Sequence, residues 1–306
     1  MPSERRRTFP LVPRRRLIGL PFGEAPSRRR GHGSDVIGHR LYEPGDPIAS
    51  IDWFASARRS AVTGGDEFVV RERSVDEAPR VVLVLDRRPA MDLHAGSFPW
   101  LDKRRALGEC AAAIATSAAA ARADLAALDF ATGEAAWIPP SRRDRAPLVA
   151  ERHLEAPFGA PDDVLDRSLL FLLEHRSSLP PGSFVFVLSD FLAPPSPALL
   201  LRTAGHGLDV VPVLIQDPVW ERSFPEVAGV AVPIAEPRSG SVSLVRLGRG
   251  QAARRREANA RRFAATVESF GALGMRVVVV SSAEQHDVEE AFLAWSEERR
   301  RTRWAR

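Results

Sequence analysis

Two carboxylates hold the positions from which an α/β protein most often does chemistry. Asp86 follows the run Val81-Val82-Leu83-Val84-Leu85, and Asp190 follows Phe184–Leu188 after Ser189. Short continuous apolar runs rich in β-branched residues are the pattern of strands buried on both faces. In open α/β sheets, ligands bind at the carboxyl ends of such strands. Three chemistries fit a pair of strand-end carboxylates. They can hold a divalent cation such as Mg²⁺, which wants oxygen ligands. They can serve as the acid pair of a hydrolase. Or each can cap a helix or tie down its own loop through backbone N–H groups. Residue type and spacing leave all three open.

Other catalytic patterns are missing. The chain has no GxxxxGK[ST] phosphate loop and no GxGxxG after its first buried strand. Gly31-His32-Gly33 precedes every credible core strand, so it is not a dinucleotide fingerprint. There is no GxSxG elbow. The histidines are scattered, with no HExxH and no metal-ligand spacing to the lone cysteine. From this reading no catalytic residue, cofactor or metal ligand is nominated.

A second group of reactive side chains lies upstream, in Arg40-Leu41-Tyr42-Glu43-Pro44-Gly45-Asp46, Ile51-Asp52-Trp53 and Ser56-Ala57-Arg58. Pro44-Gly45-Asp46 is a turn signal. Asp46 and Asp52 are near Arg40 and Arg58 in sequence. Carboxylate–guanidinium pairs would pin this segment down, with Tyr42 and Trp53 as apolar anchors. Such a segment works either as an internal clasp or as a partner-recognition surface. Further upstream, residues 1–60 hold 12 arginines against 6 acidic residues. The triplets Arg5–Arg7, Arg14–Arg16 and Arg28–Arg30 suit nucleic acid, anionic lipid or an acidic protein face, or form a solvated arm. No zinc finger, helix-turn-helix or aromatic-basic sheet accompanies them.

The elements that must position these groups are legible from residue 80 onward. The strand 81–85 is followed by a helix over 103–122, rich in alanine, the best helix former. Strands are predicted over 125–130 and 135–138, joined through the hairpin turn Thr132-Gly133-Glu134. A helix over 164–175 carries Leu165, Leu169, Leu172 and Leu173 on one side. Strand 184–188, helix 198–206, strand 208–215, helix 251–273, strand 276–280 and helix 288–298 complete the alternation. Strands alternating with helices predict a doubly wound, mostly parallel sheet. An insertion at about 219–249 breaks the rhythm, and its runs Val230–Ile234 and Val242–Leu247 suggest a small strand pair. Residues 1–34 read as a basic flexible arm, 35–79 as a small subregion with strands, and 80–306 as the α/β domain.

The chain has 306 residues, enough to bury a sizeable core, and a formal charge of +4. Its one cysteine, Cys110, sits in the alanine-rich helix as packing, which suits a reducing, cytoplasmic setting. The N-terminus lacks the apolar stretch of a signal peptide, and no apolar run reaches the ~20 residues of a membrane span. The preference for Arg and Ala suggests a bacterial, GC-rich source.

These motifs together resemble the DUF58 family, bacterial proteins with a von Willebrand factor A-like domain often associated with MoxR-type AAA+ ATPases. The resemblance rests on the basic lead-in Arg28–Gly33, the R-x-Y-x-P-G-D segment Arg40–Asp46, Ile51–Trp53, Ala57-Arg58 and Val70-Arg71-Glu72. It continues through the Asp-ended strand Val81–Asp86 and Ser189-Asp190, covering roughly residues 28–215. A-type domains carry a metal motif resembling D-x-S-x-S, a Thr on a second loop and an Asp on a third. Here Arg88 and Ala90 stand at the two Ser positions, and Pro161 stands where the Thr would be. The resemblance therefore implies a vestigial site, Asp86, Arg88, Ala90, Pro161 and Asp190, filled by Arg–Asp pairing rather than an ion.

The expectation drawn from residues and resemblance is a non-catalytic adaptor without cofactor. Its implied partner is a MoxR-like AAA+ ATPase. Two other readings compete with it: a hydrolase using the strand-end carboxylates, and a nucleic-acid or anionic-surface binder, including peripheral membrane contact, using the N-terminal arginines.

Overall fold

A computed structural model describes residues 6–13, 36–43, 48–65, 67–73, 79–93, 101–141, 143–226, 229–235 and 241–304. The chain divides into two compact units, Arg16–Ala78 and the remainder, Met1–Arg15 with Pro79–Arg306.

The smaller unit is a two-stranded antiparallel ribbon with one helix. Strand β1 (Val36–Leu41) is followed by helix α1 (Trp53–Thr63) and strand β2 (Val69–Arg73), which pairs with β1. Asp52 caps α1, its Oδ1 accepting from the amides of Phe54 at 3.1 Å and Ala55 at 3.0 Å. Gly64 closes the helix in the left-handed region at φ 72°, which a residue without Cβ adopts at no steric cost. The strands were anticipated from the sequence and the helix was not. Residues 53–63 carry two arginines, two serines and scattered apolar positions, and their apolar side proves to face solvent.

The larger unit alternates strands and helices. They are β3 (Arg80–Leu85), α2 (Lys103–Ala120), β4 (Asp124–Asp129), β5 (Ala136–Ser141), α3 (Ala146–Glu155), α4 (Val164–Glu174), β6 (Phe184–Ser189), α5 (Pro197–Gly205), β7 (Asp209–Ile215), β8 (Val230–Ala235), β9 (Val242–Leu247), α6 (Arg249–Ala272), β10 (Val278–Val280) and α7 (Gln285–Trp304). Six strands form one sheet in the order β10-β7-β6-β3-β4-β5. All neighbours are parallel except β4 and β5, joined by the hairpin through Gly133. Strands β8 and β9 make a separate antiparallel pair. Helix α3 was not anticipated: Pro147 in its first turn and the charged Glu151, Arg152 and Glu155 break up its apolar signal.

Strand β3 shows why the apolar runs are continuous. Val81, Leu83 and Leu85 face one core with Leu107, Cys110 and Ile114 of α2 and Phe292 of α7. Val82 and Val84 face a second core with Leu165, Leu169 and Leu172 of α4 and Phe270 of α6. Both faces are covered, so alternation with polar residues is absent.

Residues 6–13 correct the reading of 1–34 as a flexible arm. Phe9 is buried in the first core, stacked on Phe292 at a centroid distance of 4.7 Å. Its amide donates to Ser117 Oγ at 3.1 Å. The Val12 carbonyl accepts from Arg299, whose guanidinium also grips Asp209 at 2.7 and 2.9 Å. The sequence signal was hidden by proline and arginine around the short apolar stretch of Phe9, Leu11 and Val12. The remainder of 1–34 falls outside the described residues.

Candidate functional site at the strand ends

The carboxyl ends of β3 and β6 are adjacent because the strands pair in parallel register, Leu85 opposite Leu188. The Asp86 amide donates to the Leu188 carbonyl at 3.0 Å, which carries the pairing one residue beyond the strand. Asp86, Ser189 and Asp190 are fully buried there. Ser189 Oγ donates to Asp86 Oδ2 at 2.7 Å and accepts from the Phe191 amide at 2.9 Å. Phe191 takes φ 50°, a strained conformation for an aromatic residue. Its ring, packed edge-on to Phe270 at 5.0 Å, holds that turn in place.

Arg88 lies across both carboxylates. Its Nε donates to Asp86 at 3.0 and 3.1 Å. Its Nη2 reaches Asp86 Oδ2 at 2.5 Å, Ser189 Oγ at 3.2 Å and Asp190 Oδ1 at 3.4 Å. Burial alone would lower the Arg88 pKa, but bonding and charge from Asp86 and Asp190 hold it above its ordinary value. Ala90 is buried in the short turn Pro89–Met91 that follows. The loop holding Pro161 lies alongside, its Ala160 amide donating to the Arg87 carbonyl at 3.0 Å. Ala90 and Pro161 bring no side-chain oxygen.

One member escaped the sequence reading. Lys103, the first residue of α2, is buried and donates to Asp190 Oδ2 at 3.0 Å and Glu221 Oε1 at 2.8 Å. Glu221 in turn accepts from the Asp217 amide at 2.8 Å. A signal was available: the chain has 43 basic residues, and Lys103 is its only lysine. Burial works against the Lys103 charge, but Asp190 and Glu221 outweigh it and raise the pKa above the ordinary lysine value. Burial would raise Asp190, yet Lys103 and Arg88 pull it below the carboxylate range. Glu221 goes the other way: burial, reinforced by Asp190, lifts it against the pull of Lys103.

This donor set does not fit a divalent ion. Both oxygens of Asp86 and of Asp190, and one of Glu221, already accept from the side chains of Arg88 or Lys103. No group of three or more His, Cys, Asp or Glu suited to a metal occurs among the described residues. The cluster is also closed to substrate, since neither Asp86 nor Asp190 has any exposed surface. A groove of about 670 Å³ lies elsewhere, between α2 and α3, over Gly108, Ala112 and Val149.

Arg87 belongs to the neighbouring turn and performs a different task. It is fully buried and donates to the carbonyls of His153 and Arg152 at 3.3 and 3.4 Å, capping the C-terminus of α3. Burial, only partly offset by Asp129, pulls its guanidinium down to about 10. His153 is packed onto Gly108, where a Cβ would sit 2.7 Å from its Nε2. Burial and the positive charges of Arg87 and Arg104 push this imidazole down to about 4.

Of the upstream residues, the described ones are placed as follows. Asp52 caps α1 and pairs with His39 Nε2 at 3.0 Å. Trp53 is 59% exposed, so it is no buried anchor; it meets Phe68 edge-on at 5.9 Å. Tyr42 meets the same ring at 6.5 Å. Arg58 is exposed and makes no ion pair among the described residues. Asp46 and the side chain of Arg40 fall outside the described residues.

Helix α1 is inverted. Its one buried side chain is Ser56, which donates to the Asp52 carbonyl at 2.7 Å and accepts from the Val69 amide at 2.8 Å. Phe54, Ala57, Ala61 and Val62 line the opposite side, with Phe54 79% and Val62 87% exposed. Positions three, seven and eight apart share a helix face, so this is a continuous apolar stripe facing water.

Comparison with known proteins adds kinship. The family described as "Protein of unknown function DUF58" matches residues 38–266. Uncharacterized proteins of Mycobacterium bovis and Mycobacterium tuberculosis are 27% identical over 236 residues, covering 75% of this chain and 69% of theirs. Among solved structures, the conserved hypothetical protein BatB of Bacteroides thetaiotaomicron aligns with a TM-score of 0.40 at 13% identity, over 73% of this chain and 99% of that one. An aerotolerance-related membrane protein of Bacteroides fragilis aligns with a TM-score of 0.43 at 13% identity, with the same coverage.

Proposed function

We propose, from the premise that the chain belongs to the DUF58 family, that it is a non-catalytic adaptor that binds another protein through the outward face of α1. The observation that carries this reading is the inversion of that helix. A stripe with Phe54 and Val62 almost fully in water, while serine faces inward, wastes apolar surface unless a partner covers it. Trp53 lies beside the stripe and Arg58 within it, the residue types that dominate binding energy at interfaces. The α/β unit, of von Willebrand factor A-like type in this reading, serves as the rigid platform. No helix among the described residues is long and apolar enough to cross a membrane.

The partner in this reading is a MoxR-like AAA+ ATPase, as the resemblance of the 40–58 segment implies. The ATPase supplies nucleotide chemistry, and this chain, without a phosphate loop, supplies recognition. The closed strand-end carboxylates support the adaptor over the hydrolase. Arg6 is held by Glu109 at 2.7 Å, which weighs against a free cationic arm there.

The test is titration of purified MoxR-like ATPase into the natural protein and into F54E/V62E. The expected outcome is saturable binding that the double variant loses while its melting midpoint stays within a few degrees. Equal binding by the variant overturns α1 as the contact surface. Absence of binding by the natural protein overturns the choice of partner.

A further inference from the structure

We infer that Arg88 and Lys103 together form a built-in replacement for a divalent cation, locking the three loops at the top of the sheet without any metal. Apart from the interaction surface on α1, this inference stands on the strand-end cluster alone. Asp86 is bound by Arg88, Glu221 by Lys103, and Asp190 by both, through different oxygens. Two tethered positive charges thus take the place that the two charges of one ion would fill among the same carboxylates. They tie together the loops that carry these carboxylates, those after β3, β6 and β7, and Lys103 joins the start of α2 to them.

The choice of side chain at position 103 supports this. Elsewhere the chain uses arginine for every basic position. An ammonium is a compact charge whose donors diverge, so one nitrogen serves two carboxylates from different loops. A guanidinium is a wide planar fork suited to one carboxylate at a time. Arg88 accordingly forks onto Asp86 and reaches Asp190 only at 3.4 Å, through the same Nη2. Asp190, pulled from two sides, takes a compact cation on its far oxygen, in a position closed to solvent.

Removing Arg88 alone leaves Lys103 on Asp190, and removing Lys103 alone leaves Arg88 on both aspartates. Neither single change frees the carboxylates for an ion; the pair of changes does. The experiment is calorimetric titration of Mn²⁺ and Mg²⁺ into the metal-stripped full chain and its R88S, K103M and R88S/K103M variants. Melting curves are recorded with and without EDTA. The natural protein is expected to show no saturable binding and no EDTA-dependent midpoint. Each single variant melts lower by roughly 10 °C, because a buried charge loses its partner, and still binds no ion. The double variant gains saturable Mn²⁺ binding and a Mn²⁺-dependent rise in midpoint. Saturable binding by the natural protein overturns the inference. So does binding by R88S as tight as that of the double variant, or none in a double variant with native circular dichroism. K103R covers the case in which the double variant does not fold. It is expected to melt well below the natural protein, and an unchanged midpoint would show that position 103 needs only charge.

Discussion

The two units place their side chains in opposite ways. In the larger unit, charges are inside: Asp86, Arg88, Lys103 and Asp190 are buried beneath the loops, and every charge has a partner. In the smaller unit, apolar groups are outside. Among its residues with described side chains, only Ser56, Val69 and Val70 are buried, while Trp53, Phe54 and Val62 face water. A satisfied buried network rigidifies and has nothing left to offer a ligand. An uncovered apolar stripe costs free energy until something removes it from water. In the proposed reading, charge at the strand ends is a lock, and the hydrophobic surface of α1 is the binding resource.

The contrast can be broken most forcefully at the lock. Asp190→Asn leaves Lys103 and part of Arg88 short of countercharge in a buried site. A loss of ~3–5 kcal/mol in unfolding free energy by urea denaturation is expected. A loss below ~1 kcal/mol would mean that the cluster is solvated and open, removing the distinction between the units. Phe9→Ala, in the same unit but away from the charges, should cost ~3 kcal/mol by deleting the ring stacked on Phe292.

A pH titration of stability sharpens the comparison further, because His153 belongs to the larger unit. Its folded pKa lies at about 4, below the unfolded value of about 6.5. In that window the unfolded chain binds the proton and the folded one resists it. The associated stability is present above pH ~6.5 and is lost as pH falls towards ~4, at up to ~1.4 kcal/mol per pH unit. His153→Phe should flatten that slope in denaturation curves recorded across the window. An unchanged slope would place the acid sensitivity in the carboxylates instead. The smaller unit should respond least: Asp52→Ala removes the α1 cap for ~1 kcal/mol, read as lost helical signal and faster amide exchange over 53–63. Phe54→Glu should move stability by less than ~0.5 kcal/mol, since the side chain has little to lose.

How much was legible in the sequence divides along the same line. Strands buried on both faces announce themselves, because Val81–Leu85 and Phe184–Leu188 need no alternation to be read. Asp86 and Asp190 could be placed at the strand ends from those strands alone, and Arg88 only through the resemblance to the D-x-S-x-S motif. Lys103 could not be placed by spacing, since it reaches Asp190 from the start of α2 and Glu221 comes from beyond β7. Only composition, one lysine among 43 basic residues, marked it. Helix α1 was illegible for a physical reason. Periodicity is normally read on the assumption that the apolar side faces in, and here it faces out. Trp53 was mistaken for an anchor on the same assumption.

Phe9 and Val12 give the molecule a particular order of birth. Val12 meets Arg299 across 287 positions of sequence, and Phe9 stacks on a ring of the same last helix. During synthesis the segment that carries them emerges long before α7 and finds its seat only after α7 has followed. Until then the face of the sheet that α7 covers stays open around Phe186, and Phe9 has only half of its pocket. Until α7 emerges the chain therefore leaves this aromatic surface uncovered, and chaperone demand at this face should fall once α7 clears the exit tunnel.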